Sequence, residues 1–162
     1  MKFILVIIGF LIPSIIFSQE LNIGGSVGTY ANDIDYGIVT FGANVEYRPN
    51  KSIVSLNNEL TLFYYNSQLI LTIPLYLKII IGNKFRVCPT FGGFVRTNDN
   101  LGYMAGINFE MVVKERLIIF AKADYMWDYW DKWNNRFGGS TNYETSSSTI
   151  WISLGIKRKI LK

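Results

Sequence analysis

Eight charged side chains are spaced so that they fall on the smaller, polar face of alternating segments. They are Glu46, Glu59, Lys78, Arg86, Glu110, Lys122, Asp124 and Lys157. Because an unpaired charge inside a protein is costly, groups of opposite sign that face one interior should pair. We therefore expect a hydrogen-bonded charge network. The alternative is a selectivity constriction in a pore.

The sequence lacks residues on which many catalytic sites depend. The chain has no histidine, so it lacks the commonest general base and cannot form a Ser-His-Asp triad. Cys88 is the only cysteine, which excludes an internal disulfide and a cysteine pair for a metal. We predict that the protein is not an enzyme and needs no cofactor and no metal. Cys88 itself is expected to be a small buried residue on a strand.

A second candidate site is an aromatic and charged segment near the C-terminus. Its residues are Asp128, Tyr129, Trp130, Asp131, Trp133, Arg136 and Phe137. Aromatic side chains mixed with charges are common at recognition surfaces. The interpretation that we favour is an interfacial aromatic girdle that continues into a solvated, partly ordered loop. Its spacing matches no known ligand motif, so the external ligand is left open.

The elements that position these residues have a period of two rather than 3.6. Eight segments of about ten to thirteen residues alternate apolar and small polar side chains, as in "LGYMAGINFEMVV" from Leu101. The turns "PNKS", "GNK" and "KER" follow the even segments, whereas the connection after the seventh, about 129–148, is long. An even strand number with short turns at one end is typical of an up-and-down transmembrane barrel.

Segment length and charge favour a membrane over water. Twelve residues at ~3.3 Å each span ~40 Å, enough to cross an apolar band of ~25 Å at the tilt of a barrel strand. A soluble barrel binding an apolar ligand would instead present the small polar face to water, and that face is poorly charged. Aromatic residues near the segment ends predict interfacial girdles. They are Tyr30, Tyr47, Tyr64, Tyr103, Tyr125 and Trp127.

The N-terminus "MKFILVIIGFLIPSIIFSQE" has the pattern of a secretory signal peptide. Lys2 is followed by an apolar run, then by Pro13 and the small residue Ser18. We predict a signal peptide over 1–19 and a barrel over 20–162. An uncleaved anchor helix is the alternative. Basic residues are scattered, which argues against nucleic acid as a partner.

The run "LTIPLYLKIIIG" reads as one strand of this barrel. Leu71, Ile73 and the later odd positions would face lipid, and Lys78 would point inward to Glu46, Glu59 or Glu110. Pro74 cannot donate a ladder hydrogen bond, so we expect a local bulge there.

Residues 73–94, "IPLYLKIIIGNKFRVCPTFGGF", carry a family resemblance. An Ile-Pro-Leu strand ending in Lys, a turn, a Lys-Phe-Arg strand with Pro, and a Gly-Gly-aromatic group together resemble the outer-membrane β-barrel domain family of Gram-negative bacteria, often labelled porin-like. The matching residues are Ile73, Pro74, Leu75, Lys78, Lys84, Phe85, Arg86, Pro89, Gly92, Gly93 and Phe94. The resemblance implies contact with outer-membrane lipid and with the outer-membrane assembly machinery.

The sequence thus predicts an all-β fold: an eight-stranded antiparallel up-and-down transmembrane β-barrel preceded by a cleavable signal peptide. The expected location is the outer membrane of a Gram-negative bacterium, and the expected state is a monomer. The expected role is structural or surface interaction, with a lumen filled by side chains. The alternatives are a narrow channel for ions or small solutes and the secreted soluble barrel.

Overall fold

Nine β-strands make up nearly all of the chain that the structure describes. This structure is a computed structural model, and it describes residues 20–32, 36–49, 52–65, 68–97, 101–129 and 147–161. The strands are β1 (Glu20–Asn32), β2 (Tyr36–Arg48), β3 (Val54–Tyr65), β4 (Gln68–Ile79), β5 (Ile81–Gly82), β6 (Phe85–Arg96), β7 (Leu101–Lys114), β8 (Leu117–Tyr129) and β9 (Ser147–Leu161). Within these ranges no helix is long and apolar enough to cross a membrane.

The strands close into one antiparallel barrel. The two-residue β5 continues β4 along the same partner, β6, in the same register, so the barrel has eight long strands, as predicted. Sequential strands pair, β1 also pairs with β9, and β4 pairs with β6, which leaves the sheet without a free edge. Closure matters because an open edge would leave backbone hydrogen-bonding groups unsatisfied in lipid.

The two ends of the barrel differ. The short turns before β3, β6 and β8 lie at one end together with the start of β1 and the end of β9; we call this the turn end. The opposite end, where residues 33–35, 66–67, 98–100 and 130–146 connect the strands, is the loop end. The long connection 130–146 between β8 and β9 is the one that the sequence predicted, whereas the other three loop-end connections are about as short as the turns.

The outward side chains are mainly apolar, whereas the inward ones are charged or small polar groups together with a cluster of aromatic and apolar residues. On β7, Met104, Asn108 and Glu110 are buried, whereas Tyr103 and Phe109 between them are exposed. The same alternation holds on every long strand, so Ile, Leu, Val and Phe side chains cover the outer surface. A soluble barrel would have the reverse pattern, because its apolar face must be hidden from water. The transmembrane prediction is therefore confirmed, and the soluble alternative is contradicted.

Two local predictions are wrong. Tyr30 lies inside the barrel, 2% exposed, rather than in an outer girdle. Every second residue of a strand faces the same side, and by this alternation (the strand parity) Tyr30 shares a face with the buried Asn22 and Ser26 of β1. The register at Pro74 is not shifted: Pro74 pairs regularly with Phe94 on β6, and the ladder with β3 resumes beyond it without a bulge. Backbone pairing of β4 with β3 is interrupted between Thr72 and Leu75, the two residues that flank the gap containing Pro74. This gap accommodates the missing N–H of the proline without bending the strand.

Candidate functional site: the charged lumen

Four charged side chains form a closed ring in the half of the lumen nearest the turn end. The Lys78 ammonium lies 2.6 Å from a carboxylate oxygen of Glu46 and 2.6 Å from one of Glu110. The Lys157 ammonium lies 2.5 Å from Glu46 and also donates to Glu110. Every side chain of this ring is at most 3% exposed. Each charge therefore has two neighbours of opposite sign.

The ring takes one residue from every second strand of the barrel. Glu46 is on β2, Lys78 on β4, Glu110 on β7 and Lys157 on β9, and in the order of the closed sheet one other strand separates each from the next. In a narrow barrel, neighbouring inward side chains are too close to lie at one level, so alternate strands supply each layer. The signs alternate around the layer, which makes it neutral. Arg86 lies beside the ring, 3.6 Å from the second oxygen of Glu110.

A second ionic group crosses the lumen at mid-height. The Lys122 ammonium lies 2.6 Å from Glu59, which is on the opposite wall, and 3.3 Å from Asp124 on its own strand. Each of these carboxylates also accepts a hydrogen bond from a hydroxyl group: Ser26 donates to Glu59 at 3.0 Å and Thr90 donates to Asp124 at 2.9 Å. We call Glu59, Lys122 and Asp124 the bridge. Because a lone charge would be costly here, the bridge depends on both walls of the barrel.

Glycines make room for these charged groups. A Cβ on Gly42 would collide with the Ser26 hydroxyl and the Glu59 carboxylate, and a Cβ on Gly106 would collide with the Asp124 carboxylate. Both glycines face inward on strands that otherwise alternate polar and apolar residues. In a narrow lumen, the space left by a glycine on one strand is occupied by a side chain from the neighbouring strand.

Towards the loop end, an apolar and aromatic cluster fills the lumen above the bridge. We call it the plug; its members are Tyr30, Phe63, Ile70, Tyr76, Phe94, Met104, Met126 and Trp151. Tyr30 meets Phe63 edge-on with ring centroids 4.7 Å apart. The indole of Trp151 donates to the Thr40 hydroxyl, and the Lys122 ammonium lies 3.3 Å from the centroid of the Trp151 rings. The plug is thus joined to the bridge by a cation–π contact.

Arg96 lies against the plug at the loop end. Its guanidinium carbon is 4.8 Å from the centroid of the Phe94 ring, and its Nε donates to the Thr72 hydroxyl at 3.2 Å. Neither Arg96 nor the plug was among the site residues predicted from the sequence. Strand parity was the available signal, since Tyr30, Phe94 and Trp151 all fall on the inward face of their strands.

The eight charged residues predicted from the sequence all lie on inward positions, and the structure divides them into the ring with Arg86 and the bridge. The aromatic segment is different. Asp128 and Tyr129 end β8; the backbone of Asp128 pairs with both β7 and β9, and that of Tyr129 pairs with β7. Trp130, Asp131, Trp133, Arg136 and Phe137 lie outside the described residues.

The chemistry available in the lumen is that of neutralised ion pairs. In the part of the chain that the structure describes, no group of His, Cys, Asp and Glu side chains is arranged to hold a metal ion. Ammonium groups neutralise the carboxylates of the ring and of the bridge. The arrangement suits fastening of the walls to one another.

Comparisons with known proteins agree with the geometry. No family model and no curated protein sequence matches the chain. Among solved structures, a de novo designed transmembrane β-barrel superposes with a TM-score of 0.59 at 14% identity, over 88% of this chain and 97% of that chain. This chain has the fold of an eight-stranded transmembrane β-barrel.

Natural outer-membrane proteins share that fold. OprG from Pseudomonas aeruginosa matches with a TM-score of 0.54 at 10% identity, over 90% of this chain and 97% of that chain. Ail, the attachment invasion locus protein of Yersinia pestis, matches with a TM-score of 0.53 at 10% identity, over 87% of this chain and 97% of that chain. The fold implied by the family resemblance of residues 73–94 is therefore confirmed. At these identities the likeness concerns the fold alone.

Proposed function

We propose that this protein is a monomeric outer-membrane barrel with a structural or surface-interaction role and a lumen closed by its own side chains. The observation that carries the proposal is the stacking of three layers across the lumen: the ring, the bridge and the plug. The ammonium-bearing side chains of the first two are at most 3% exposed. A conducting pathway needs water beside its charged groups, and these charged groups are covered by protein.

Electrical measurement distinguishes this role from that of a narrow ion channel. The mature chain, residues 20–162, would be folded into a planar lipid bilayer and its current recorded in potassium chloride. We expect no discrete conductance steps. Steps that disappear when Lys122 or Asp124 is substituted would overturn the closed-lumen proposal and establish a pore through the bridge.

Insertion itself has an independent test. A folded barrel in detergent resists unfolding at room temperature, so unboiled and boiled samples should migrate differently on a denaturing gel. Recovery in the soluble fraction with no difference in migration would refute the membrane assignment. The unboiled sample also reports the oligomeric state, because a stable dimer would migrate well above the monomer.

The segment 128–137 is the part of the chain that we propose for contact with an external partner. Its support is compositional: three aromatic residues, Trp130, Trp133 and Phe137, follow β8 within ten positions of mixed charge. It connects β8 to β9 at the loop end. An epitope inserted after Asn135 should be detected by antibody on intact cells, whereas one inserted after Glu115 at the turn end should require permeabilised cells. The reverse result would invert the orientation and remove this segment from the cell surface.

Export to that location is proposed to use residues 1–19 as a cleaved signal peptide, followed by insertion through the outer-membrane assembly machinery. N-terminal sequencing of the protein recovered from membranes tests the first step. We expect a new N-terminus at Gln19 or Glu20. A protein that retains Met1 would instead support the anchor helix. No enzymatic activity is proposed.

A further inference from the structure

The two ends of the barrel carry opposite charge. Among the described residues, the turn end has seven basic side chains against two acidic ones: Arg48, Lys84, Arg86, Lys114, Arg116, Arg158 and Lys159 against Glu20 and Glu115. The loop end has the reverse composition. The sequence has six acidic and three basic residues in the strand ends and connecting segments there, 33–35, 96–99 and 128–146. The net positive charge of the barrel is therefore concentrated at the turn end.

Four of the turn-end basic residues lie next to one another along the rim. Lys84 precedes β6, Lys114 ends β7, Arg116 is in the following turn and Arg158 is on β9. The Lys84 carbonyl accepts a hydrogen bond from the backbone of β7, and the Arg116 carbonyl accepts one from the backbone of β9. Leu117, which pairs with Lys114, also pairs with Arg158. We call these four residues the basic strip.

The basic strip is available to an external anion. All four side chains are exposed, and within the described part of the barrel none of them forms an ion pair. The other three basic residues described at the turn end differ in this respect, because Arg48 and Lys159 pair with Glu20 and Arg86 pairs with Glu110. Among the described residues, the acid adjacent to the strip is the exposed Glu115, which lies between Lys114 and Arg116.

Arg158 identifies the environment of the strip. It lies on the outward, apolar face of β9, between Ile156 and Ile160, which are 52% and 51% exposed. A guanidinium on a lipid-facing surface is costly unless its head reaches the interface and meets an anion there. An anionic phospholipid meets both needs, since its phosphate can bind the guanidinium while its acyl chains cover the neighbouring isoleucines.

We propose that the basic strip binds the phosphate headgroups of anionic phospholipids in the leaflet at the turn end. The proposal rests on the placement of the barrel in a bilayer. Arg158 and Arg116 supply guanidinium groups to the phosphate oxygens, and Lys84 and Lys114 add positive charge along the same rim. A leaflet of anionic headgroups is complementary to this end and not to the acidic loop end.

Spin-labelled lipids test the proposal in vesicles of phosphatidylcholine that contain the folded protein. Electron paramagnetic resonance measures the fraction of label that the protein surface immobilises. A basic residue near a membrane surface favours an anionic lipid about fivefold at its own position, so after averaging over the barrel perimeter phosphatidylglycerol should associate more strongly than phosphatidylcholine, by less than about fivefold. Molar potassium chloride should abolish this preference.

Substitutions in and beside the basic strip test whether these residues cause the preference for phosphatidylglycerol. Arg116→Gln with Arg158→Gln should lower the preference for phosphatidylglycerol, because only Lys84 and Lys114 then remain in the strip. Glu115→Gln, which removes the acid next to the strip, should increase the preference. Replacing chloride with inorganic phosphate at equal ionic strength should leave the preference intact if the strip binds lipid. Competition by phosphate would assign it to a free anion and overturn the lipid proposal.

Equal immobilisation of both lipids by the wild-type protein, or an unchanged preference in the double variant, would also refute it. If neither lipid were immobilised, the barrel would not be in the bilayer. That outcome would refute both the lipid proposal and the membrane assignment, and it is distinguishable from loss of preference alone.

Discussion

Removing Lys78 from the ring should strongly destabilise the barrel. Lys78 contacts both ring carboxylates at 2.6 Å and is fully buried, so a Lys78→Met variant leaves Glu46 and Glu110 to share Lys157. Breaking a buried ion pair by removing one partner costs about 3–5 kcal/mol, because the remaining charge is desolvated without compensation. Lys157 still neutralises half of the ring, which places the expected loss in the free energy of unfolding near the lower end, about 3 kcal/mol.

Guanidinium titration of the barrel in lipid vesicles, followed by tryptophan fluorescence, measures this loss. A surface comparison is provided by Lys159→Met, which removes a 2.9 Å ion pair with Glu20 at the rim. That variant should lose at most about 1 kcal/mol, because the pair is partly exposed to water, which screens it, and Glu20 keeps Arg48 as a partner. The two substitutions are chemically the same, so their difference reports the combined effect of burial and of the second carboxylate partner of Lys78.

A second substitution tests whether charge imbalance causes the loss. Lys78→Met combined with Glu46→Gln leaves Lys157 opposite Glu110, which restores neutrality to the layer. The double variant should be more stable than Lys78→Met alone, with a coupling of about 1–3 kcal/mol. If Lys78→Met cost no more than Lys159→Met, or if the two ring substitutions were simply additive, the reasoning from buried charge would be refuted.

Three further outcomes follow from the same layers. Gly106→Ala should lose about 1–3 kcal/mol of stability because its Cβ would collide with Asp124, whereas Gly25→Ala, whose Cβ has only one ordinary contact, should lose less than 1 kcal/mol in the same titration. The Cys88 thiol is 0% exposed, so a maleimide should label it only after unfolding; rapid labelling of the folded barrel would disprove its burial. Replacing all four ring residues with apolar ones of similar volume should preserve folding stability to within about 4 kcal/mol but produce more than one set of backbone amide signals in nuclear magnetic resonance. A single set would show that the ring does not specify the register.

Strand parity made most of the fold predictable. On each strand the residues assigned to the lumen by alternation, such as Glu46, Lys78 and Lys122, are those that the structure buries. Parity is reliable here because a slip of one residue would move an entire apolar face into the lumen. The rule failed only where residue type was given precedence over parity. Tyr30 was assigned to a girdle because it is aromatic, although its position on β1 is an inward one.

The sequence left three candidate acids for Lys78 and could not indicate that the lysine meets Glu46 and Glu110. Following the backbone register from Glu46 across β3 leads to Tyr76 on β4, yet the ring partner is Lys78, two residues closer to the turn end. From Lys78, the register across β6 leads to Gly106, and the ring partner Glu110 is four residues further on. These offsets are the stagger of strands that tilt around a closed barrel. The sequence specifies which residues face inward but not the stagger that decides which of them meet.

That stagger gives the ring a physical role beyond stability. From Glu110 across β8 to β9, and from Lys157 across β1 to β2, the partner again lies two residues closer to the turn end than the register indicates. A shift of any one strand by two residues would keep every side chain on its proper face, so the hydrophobic pattern alone cannot forbid it. The same shift would move one charge out of a ring in which each group has two partners, and would leave the others unbalanced in a desolvated lumen. Apolar side chains could fill this space with similar stability, whereas only alternating charges penalise the wrong stagger. We infer that the ring selects one closed register from several that would otherwise pack almost equally well.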